Sequence, residues 1–190
     1  MATTLNTKNK IHPLKMYLYV GLGSIVMIFA GLTSAYIVKK SQANWLDFEL
    51  PKVFFIATVV ILLSSFTMQM AVKKAKEGLQ NPYRSFLTIT AILGVVFMIL
   101  QYQGFMALQA NNIALTGARS NSAASFLFVI TLLHLLHVLG GVIAIVGVRF
   151  KSLSANNNIE NTTPVELVST YWHFVDILWI YLFVFLQWIG

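Results

Sequence analysis

A chain of 190 residues that is 57% hydrophobic and only 10% charged is too poor in ions for a soluble surface, where roughly a quarter of residues carry charge. Its net charge of +7 could mark a nucleic-acid binder, but its 13 Lys and Arg fall in short clusters between apolar runs, not along a basic stripe. The absence of Cys excludes disulfides, thiolate metal sites and cysteine nucleophiles, and four His with no Cys beside them argue against structural zinc.

The polar opening "MATTLNTKNK" reads as a flexible tail, taken here as residues 1–14. The first apolar run, residues 16–38 between Lys15 and Lys39, is longer than the roughly 7–15 residues of a signal-peptide core. Four more follow, so it is expected to stay as a membrane span. Within it Gly31 and Ala35 are four residues apart, a spacing that lets a neighbouring helix or partner approach closely. The second run, residues 53–72, lies between Lys52 and Lys73, and the third, about 86–108, follows Arg84. The fourth, 122–148, carries "LLHLLHVLGG", and the fifth, about 167–189, carries "YWHFVDILWIYLF". Each supplies the roughly 20 apolar residues needed to cross a hydrocarbon core of ~30 Å as a helix. Strands are excluded because the runs are far too long for a barrel. The expected fold is therefore all-α: one polytopic domain, residues 15–190, made of five transmembrane helices. No internal repeat is visible, which weighs against a transporter built from duplicated halves.

Basic residues orient the spans. The N-terminal tail with the second and fourth loops carries nine Lys and Arg, against four on the other side. The N-terminus is thus expected in the cytoplasm and the C-terminus outside. The Asn161-Thr162-Thr163 sequon then falls on the inner side, where a glycosylation reading has little force.

Two apolar runs contain ionisable groups. His173 and Asp176 are three residues apart in the fifth span, and His134 and His137 repeat that spacing in the fourth. Such pairs share a helix face. A mid-membrane carboxylate costs on the order of 2.5–3.5 kcal/mol, so a partner is expected for each such group. Counted from the inner boundary, His137 lies ~18 Å deep and Asp176 ~15 Å, which makes a hydrogen bond between them feasible. One reading is a structural polar network of His134, His137, His173 and Asp176 that pins two helices together. A second is a proton-conducting chain of the same groups. A third is a haem or metal site with His134, His137 and His173 as ligand candidates. Trp172 and Trp179 flank the fifth-span pair too deeply to be interfacial anchors, so they are expected to pack against a neighbour, lipid or a partner, and Tyr171 is expected to pack against lipid or a partner.

These strings are specific. "YWHFVDILWIYLF" resembles the start of the last helix in subunit III of the haem–copper cytochrome oxidases, and "TLLHLLHVLGG" resembles that family's penultimate helix. "LLSSFTMQMA" is similar to its Ser-Ser-x-Thr stretch, and order and spacing agree from about residue 15 to residue 190. Two departures stand out. Many members have seven helices, so this chain resembles the five-helix bacterial form. Two family acids are also replaced, one by Ile25 and one, after Gln101, by Gly104.

The resemblance implies an accessory subunit of a proton-pumping terminal oxidase, a multi-pass protein of a bacterial inner membrane. Such a subunit has no catalytic residues and binds no haem, copper or other metal itself; haem and copper belong to partner subunits. Its implied partners are catalytic subunit I, other oxidase subunits and phospholipid, not nucleic acid. Its implied role is to support proton uptake and stability during turnover. The rival from another class is a haem-binding membrane anchor of a redox complex, and a small proton-coupled transporter is a further one.

Overall fold

The computed structural model describes residues 13–40, 50–110, 122–154 and 162–189. Residues 1–12 of the expected tail and the sequon residue Asn161 lie outside the described residues, as do most of the loops after the first, third and fourth spans, whereas Pro13 and Leu14, read as the end of the tail, already belong to the first helix. Five helices are present: α1 (Pro13–Lys40), α2 (Lys52–Lys76), α3 (Gln80–Ala110), α4 (Ser122–Ser154) and α5 (Thr163–Ile189). All five are long and apolar enough to cross a membrane. Each extends past the apolar run read from sequence, because a helix does not stop where its side chains turn polar. α3, for example, starts at Gln80, four residues before Arg84.

The ends have local causes. Pro13 opens α1, where a missing backbone N–H costs nothing and the fixed φ suits the first turn. α2 closes through Gly78 at φ 73°, a left-handed conformation that glycine adopts without a Cβ clash. Gly78 N–H donates to the Ala75 carbonyl at 3.1 Å and Leu79 N–H to the Lys74 carbonyl at 3.0 Å. This paired pattern satisfies carbonyls that the helix end would leave bare. It turns the chain within three residues and makes α2 and α3 the most closely packed pair.

Helices α2, α3, α4 and α5 close into a ring in which each touches the next and α5 returns to α2. α1 lies outside the ring, against α4 and α5 alone among the described helices. α1 and α5 run parallel and are tied along their length. Lys15 Nζ reaches Glu166 Oε2 at 3.2 Å, the Thr33 and Tyr181 hydroxyls are 3.1 Å apart, and Lys40 Nζ donates to the Ile189 carbonyl. Glu166 also meets Lys76 at 3.3 Å, so one carboxylate joins the ends of α1, α2 and α5.

The core sits at the centre of the ring, around Trp172, Trp179, Phe54, Phe97 and Ile61, all essentially inaccessible. The outer faces are the reverse of a soluble protein's: Met27, Tyr17, Phe66 and Trp188 project from the bundle. In water such a surface would aggregate, whereas in lipid it needs no cover.

Candidate functional site

The fifth-span motif faces inward over two turns of α5. Trp172 donates its indole N–H to Ser64 Oγ at 3.0 Å, and Trp179 donates to Thr58 Oγ1 at 3.0 Å. His173 takes two partners from α2: Nδ1 lies 2.7 Å from Ser65 Oγ, and Nε2 lies 3.2 Å from Gln69 Oε1. A neutral ring meets both needs, with Nε2–H donating to the amide oxygen and Nδ1 accepting the serine hydroxyl. Tyr171 points the other way and donates its hydroxyl to the His137 carbonyl at 3.0 Å. The motif thus clasps α2 on one face and α4 on the other.

Bulky rings fit there because glycines leave room. A Cβ at Gly94 of α3 or Gly141 of α4 would stand 2.8 Å from the Trp172 ring, and one at Gly104 would stand 2.7 Å from Phe54. Phe54 in turn stacks on Trp179 at 6.4 Å between ring centroids. Gly104 therefore admits an aromatic ring.

The four residues read as one polar network occupy separate places. His137 Nδ1 donates to the Leu133 carbonyl of its own helix at 2.7 Å. The feasible bond between His137 and Asp176 is not formed: Asp176 is 2% exposed, and neither of its oxygens has a hydrogen-bond partner. Depth alone suggested that pairing, but rotation about each helix axis decides it. His134 is fully buried and packs as a ring, with centroids 5.2 Å from Trp179, 6.0 Å from Phe97 and 6.4 Å from Phe29. It is level with Trp179, six residues beyond His173 on α5, or ~9 Å along the helix. His134 and His173 therefore do not face a common centre as a haem pair would. Among the described residues no three His, Asp or Glu side chains gather as a metal site would require.

Trp172 and Trp179 pack within this chain, not against lipid. Gly31 and Ala35 are exposed on the outer side of α1, and no atom stands within 4 Å of a Cβ built at Gly31. Sequence reading noted Ser64 and Ser65 only as part of a family string and did not assign them the α2 side of the clasp. Ser64, Ser65 and Thr58 are hydroxyls in an apolar run, and their spacing of six to seven residues matches that of Trp172 and Trp179. It also missed Gln101 and Thr131, polar side chains with no exposed surface in α3 and α4.

The class this defines is a polytopic helical membrane subunit whose inward polar side chains bind helix to helix. A family model described as cytochrome c oxidase subunit III matches residues 42–190. A "probable cytochrome c oxidase subunit 3" of Nocardia farcinica is 34% identical over 92% of this chain and 90% of its own length. The corresponding protein of Mycobacterium tuberculosis is 33% identical over 92% of this chain and 90% of its own. A "cytochrome bo(3) ubiquinol oxidase subunit 3" of Buchnera aphidicola is 29% identical over 96% of this chain and 93% of its own. The chain belongs to the cytochrome c oxidase subunit III family. It is an accessory, non-catalytic subunit of a respiratory oxidase and a multi-pass protein of a bacterial inner membrane.

Proposed function

We propose that this chain packs against catalytic subunit I of a proton-pumping haem–copper oxidase and supports its proton uptake and its stability during turnover. The observation that carries the reading is how the α5 motif is used. Tyr171, Trp172, His173 and Trp179 each direct a polar atom to a neighbouring helix of the same chain, as in a scaffold. The outer face of α1, with Gly31 and Ala35 open, is the surface offered to the catalytic subunit, since small residues let another backbone come close. A cytoplasmic N-terminus is supported by charge, since Lys15, Lys74, Lys76 and Arg149 all lie at the end of the bundle where α1 begins. His134, His137, His173 and Asp176 act structurally, each holding or filling its own part of the core.

Affinity purification of the tagged chain from membranes in mild detergent tests this. A haem–copper subunit identified by mass spectrometry at equal stoichiometry is the expected result. Isolation of the chain alone with one equivalent of haem, lost on His134→Phe, would refute the scaffold reading in favour of the anchor. Asp176→Asn should leave turnover and assembly in place, because the carboxylate has no bonded partner to lose. Loss of proton pumping in an assembled oxidase would show instead that Asp176 takes part in proton transfer.

A further inference from the structure

The seam between α3 and α4 is tied by arginine at the end where α3 begins. Arg84 of α3 donates Nε to Ser152 Oγ at 3.1 Å, and Arg149 of α4 donates Nε to Thr88 Oγ1 at 3.2 Å. Farther along, the contacts are rings: Phe97 meets His134 at 6.0 Å between centroids, and Phe105 meets Phe128 at 5.2 Å. Across these contacts residue numbers rise along α3 as they fall along α4, so the helices are antiparallel. The residues midway between the two ring pairs therefore face each other. They are Gln101 of α3 and Thr131 of α4, both without exposed surface.

This layer does not satisfy itself. Thr131 spends its one proton on the Leu127 carbonyl at 2.6 Å, so its oxygen can only accept. Gln101 brings two N–H donors and a carbonyl oxygen, and neither its Nε2 nor its Oε1 has a hydrogen-bond partner. His134 lies one turn from Thr131, and both of its ring nitrogens are likewise buried and unpartnered. Helical side chains lean toward the start of their own helix. Gln101 thus leans toward the level of His134, and His134 leans toward the level of Gln101. Three polar side chains converge on one layer and make no direct hydrogen bond to one another.

Unmet polar groups are costly in a medium of low dielectric. Gln101 also lies nine residues short of the end of α3 at Ala110, or ~14 Å by helical rise, too deep for interfacial water to serve it. The layer suits a molecule that donates and accepts, fits between packed helices and takes two to four partners. That molecule is water, which commonly joins buried polar groups that do not touch directly. An apolar gas could use none of these atoms. A metal ion would need a gathering of His, Asp or Glu side chains that the described residues do not form.

We propose that one resident water molecule lies between α3 and α4, bonded to the Gln101 amide, the Thr131 hydroxyl oxygen and a His134 ring nitrogen. It gives this end of the seam the polar tie that arginines give the other. Two of its bonds survive when His134 is replaced by Phe, so the imidazole adds to the site without being required by it. The site depends on the bundle alone and stands apart from any oxidase role.

A density map of the purified complex in lipid nanodiscs, at a resolution that shows ordered waters elsewhere, should contain a peak at hydrogen-bonding distance from both Gln101 and Thr131. Pulsed hydroxyl-radical labelling read by mass spectrometry is an independent measure, because radiolysis of a bound water marks the side chains beside it. Phe97 and His134 should take up oxygen. Trp172 is equally buried and intrinsically more reactive, but its indole N–H is already bonded to Ser64, and it should stay unlabelled. The Q101M/T131V variant keeps the shape of the layer and removes both polar ends. With folding checked by thermal melting, it should lose the peak and the label on Phe97. If the double variant does not fold, Gln101→Met alone decides by the same two losses. A map with no peak in this layer would overturn the proposal, as would a direct bond from Gln101 to Thr131 or His134 in its place. So would label on Phe97 that survives in the folded variant or merely equals that on Trp172.

Discussion

Trp172 of α5 lies between Gly94 of α3 and Gly141 of α4, with its indole N–H on Ser64 of α2, so a single side chain touches the other three helices of the ring. Its ring is fully buried, and both glycines stand where any Cβ would press on its edge. Gly94→Ala and Gly141→Ala should each destabilise the solubilised protein by about 1–3 kcal/mol, the usual cost of overpacking a filled core. Gly147→Ala meets no atom within 4 Å and serves as a control that should be neutral or slightly stabilising. Thermal unfolding in detergent separates the two groups, and equal effects would show that the Trp172 ring can move aside.

Ser64→Ala keeps the helix and the packing but leaves a buried indole N–H unpaired. Bonds of this kind in membrane proteins are worth about 0.6 kcal/mol on average and up to about 1.7 kcal/mol. The loss should fall in that range and should largely vanish when Trp172 is already Phe. A double-mutant cycle measures this, and additive effects would mean that the bond contributes nothing.

His134 presents a ring to three aromatic side chains and no nitrogen to a partner. It should therefore behave as a core aromatic. His134→Phe should cost much less than His134→Ala, which removes buried volume and should cost on the order of 2–4 kcal/mol. The opposite ranking in melting or assembly yield would reveal a polar role for the imidazole.

His173 is the contrasting case, because both nitrogens are bonded to α2. His173→Phe should detach α5 from Ser65 and Gln69 and lower stability by about 1 kcal/mol, the typical net value of a hydrogen bond. His173→Gln, which retains a donor and an acceptor, should recover part of it. Hydrogen exchange in α2 around Ser65 and Gln69 should rise in the first variant and less in the second.

Glu166 joins α1, α2 and α5 through Lys15 and Lys76 at a partly exposed site. Pairs of that kind contribute about 0–1 kcal/mol and weaken with salt. Glu166→Gln should produce a small loss of stability at low ionic strength that disappears at high salt. A salt-independent loss would point to packing rather than charge.

Much of this was open to sequence reading, for a definite reason. Five apolar runs bracketed by Lys and Arg become five spanning helices because runs this long are of no use to a barrel, and a helix is then what satisfies their backbone groups in lipid. The family resemblance in "YWHFVDILWIYLF" was likewise legible, since it is a local string. Helix ends were less so: the turn at Gly78 depends on a left-handed glycine that composition does not single out.

What sequence alone determined, then, is the number of spans, their expected direction and the inward placement of polar groups in an apolar chain. Only the tertiary structure decided which group meets which. Depth put Asp176 beside His137, yet the rotation of α5 turns Trp172 and His173 onto Ser64 and Ser65, and His137 bonds its own backbone. Rotation about a helix axis is set by how large side chains fit the small ones opposite. Here that fit is Trp172 in the space left by Gly94 and Gly141, residues 78 and 31 positions away along the chain.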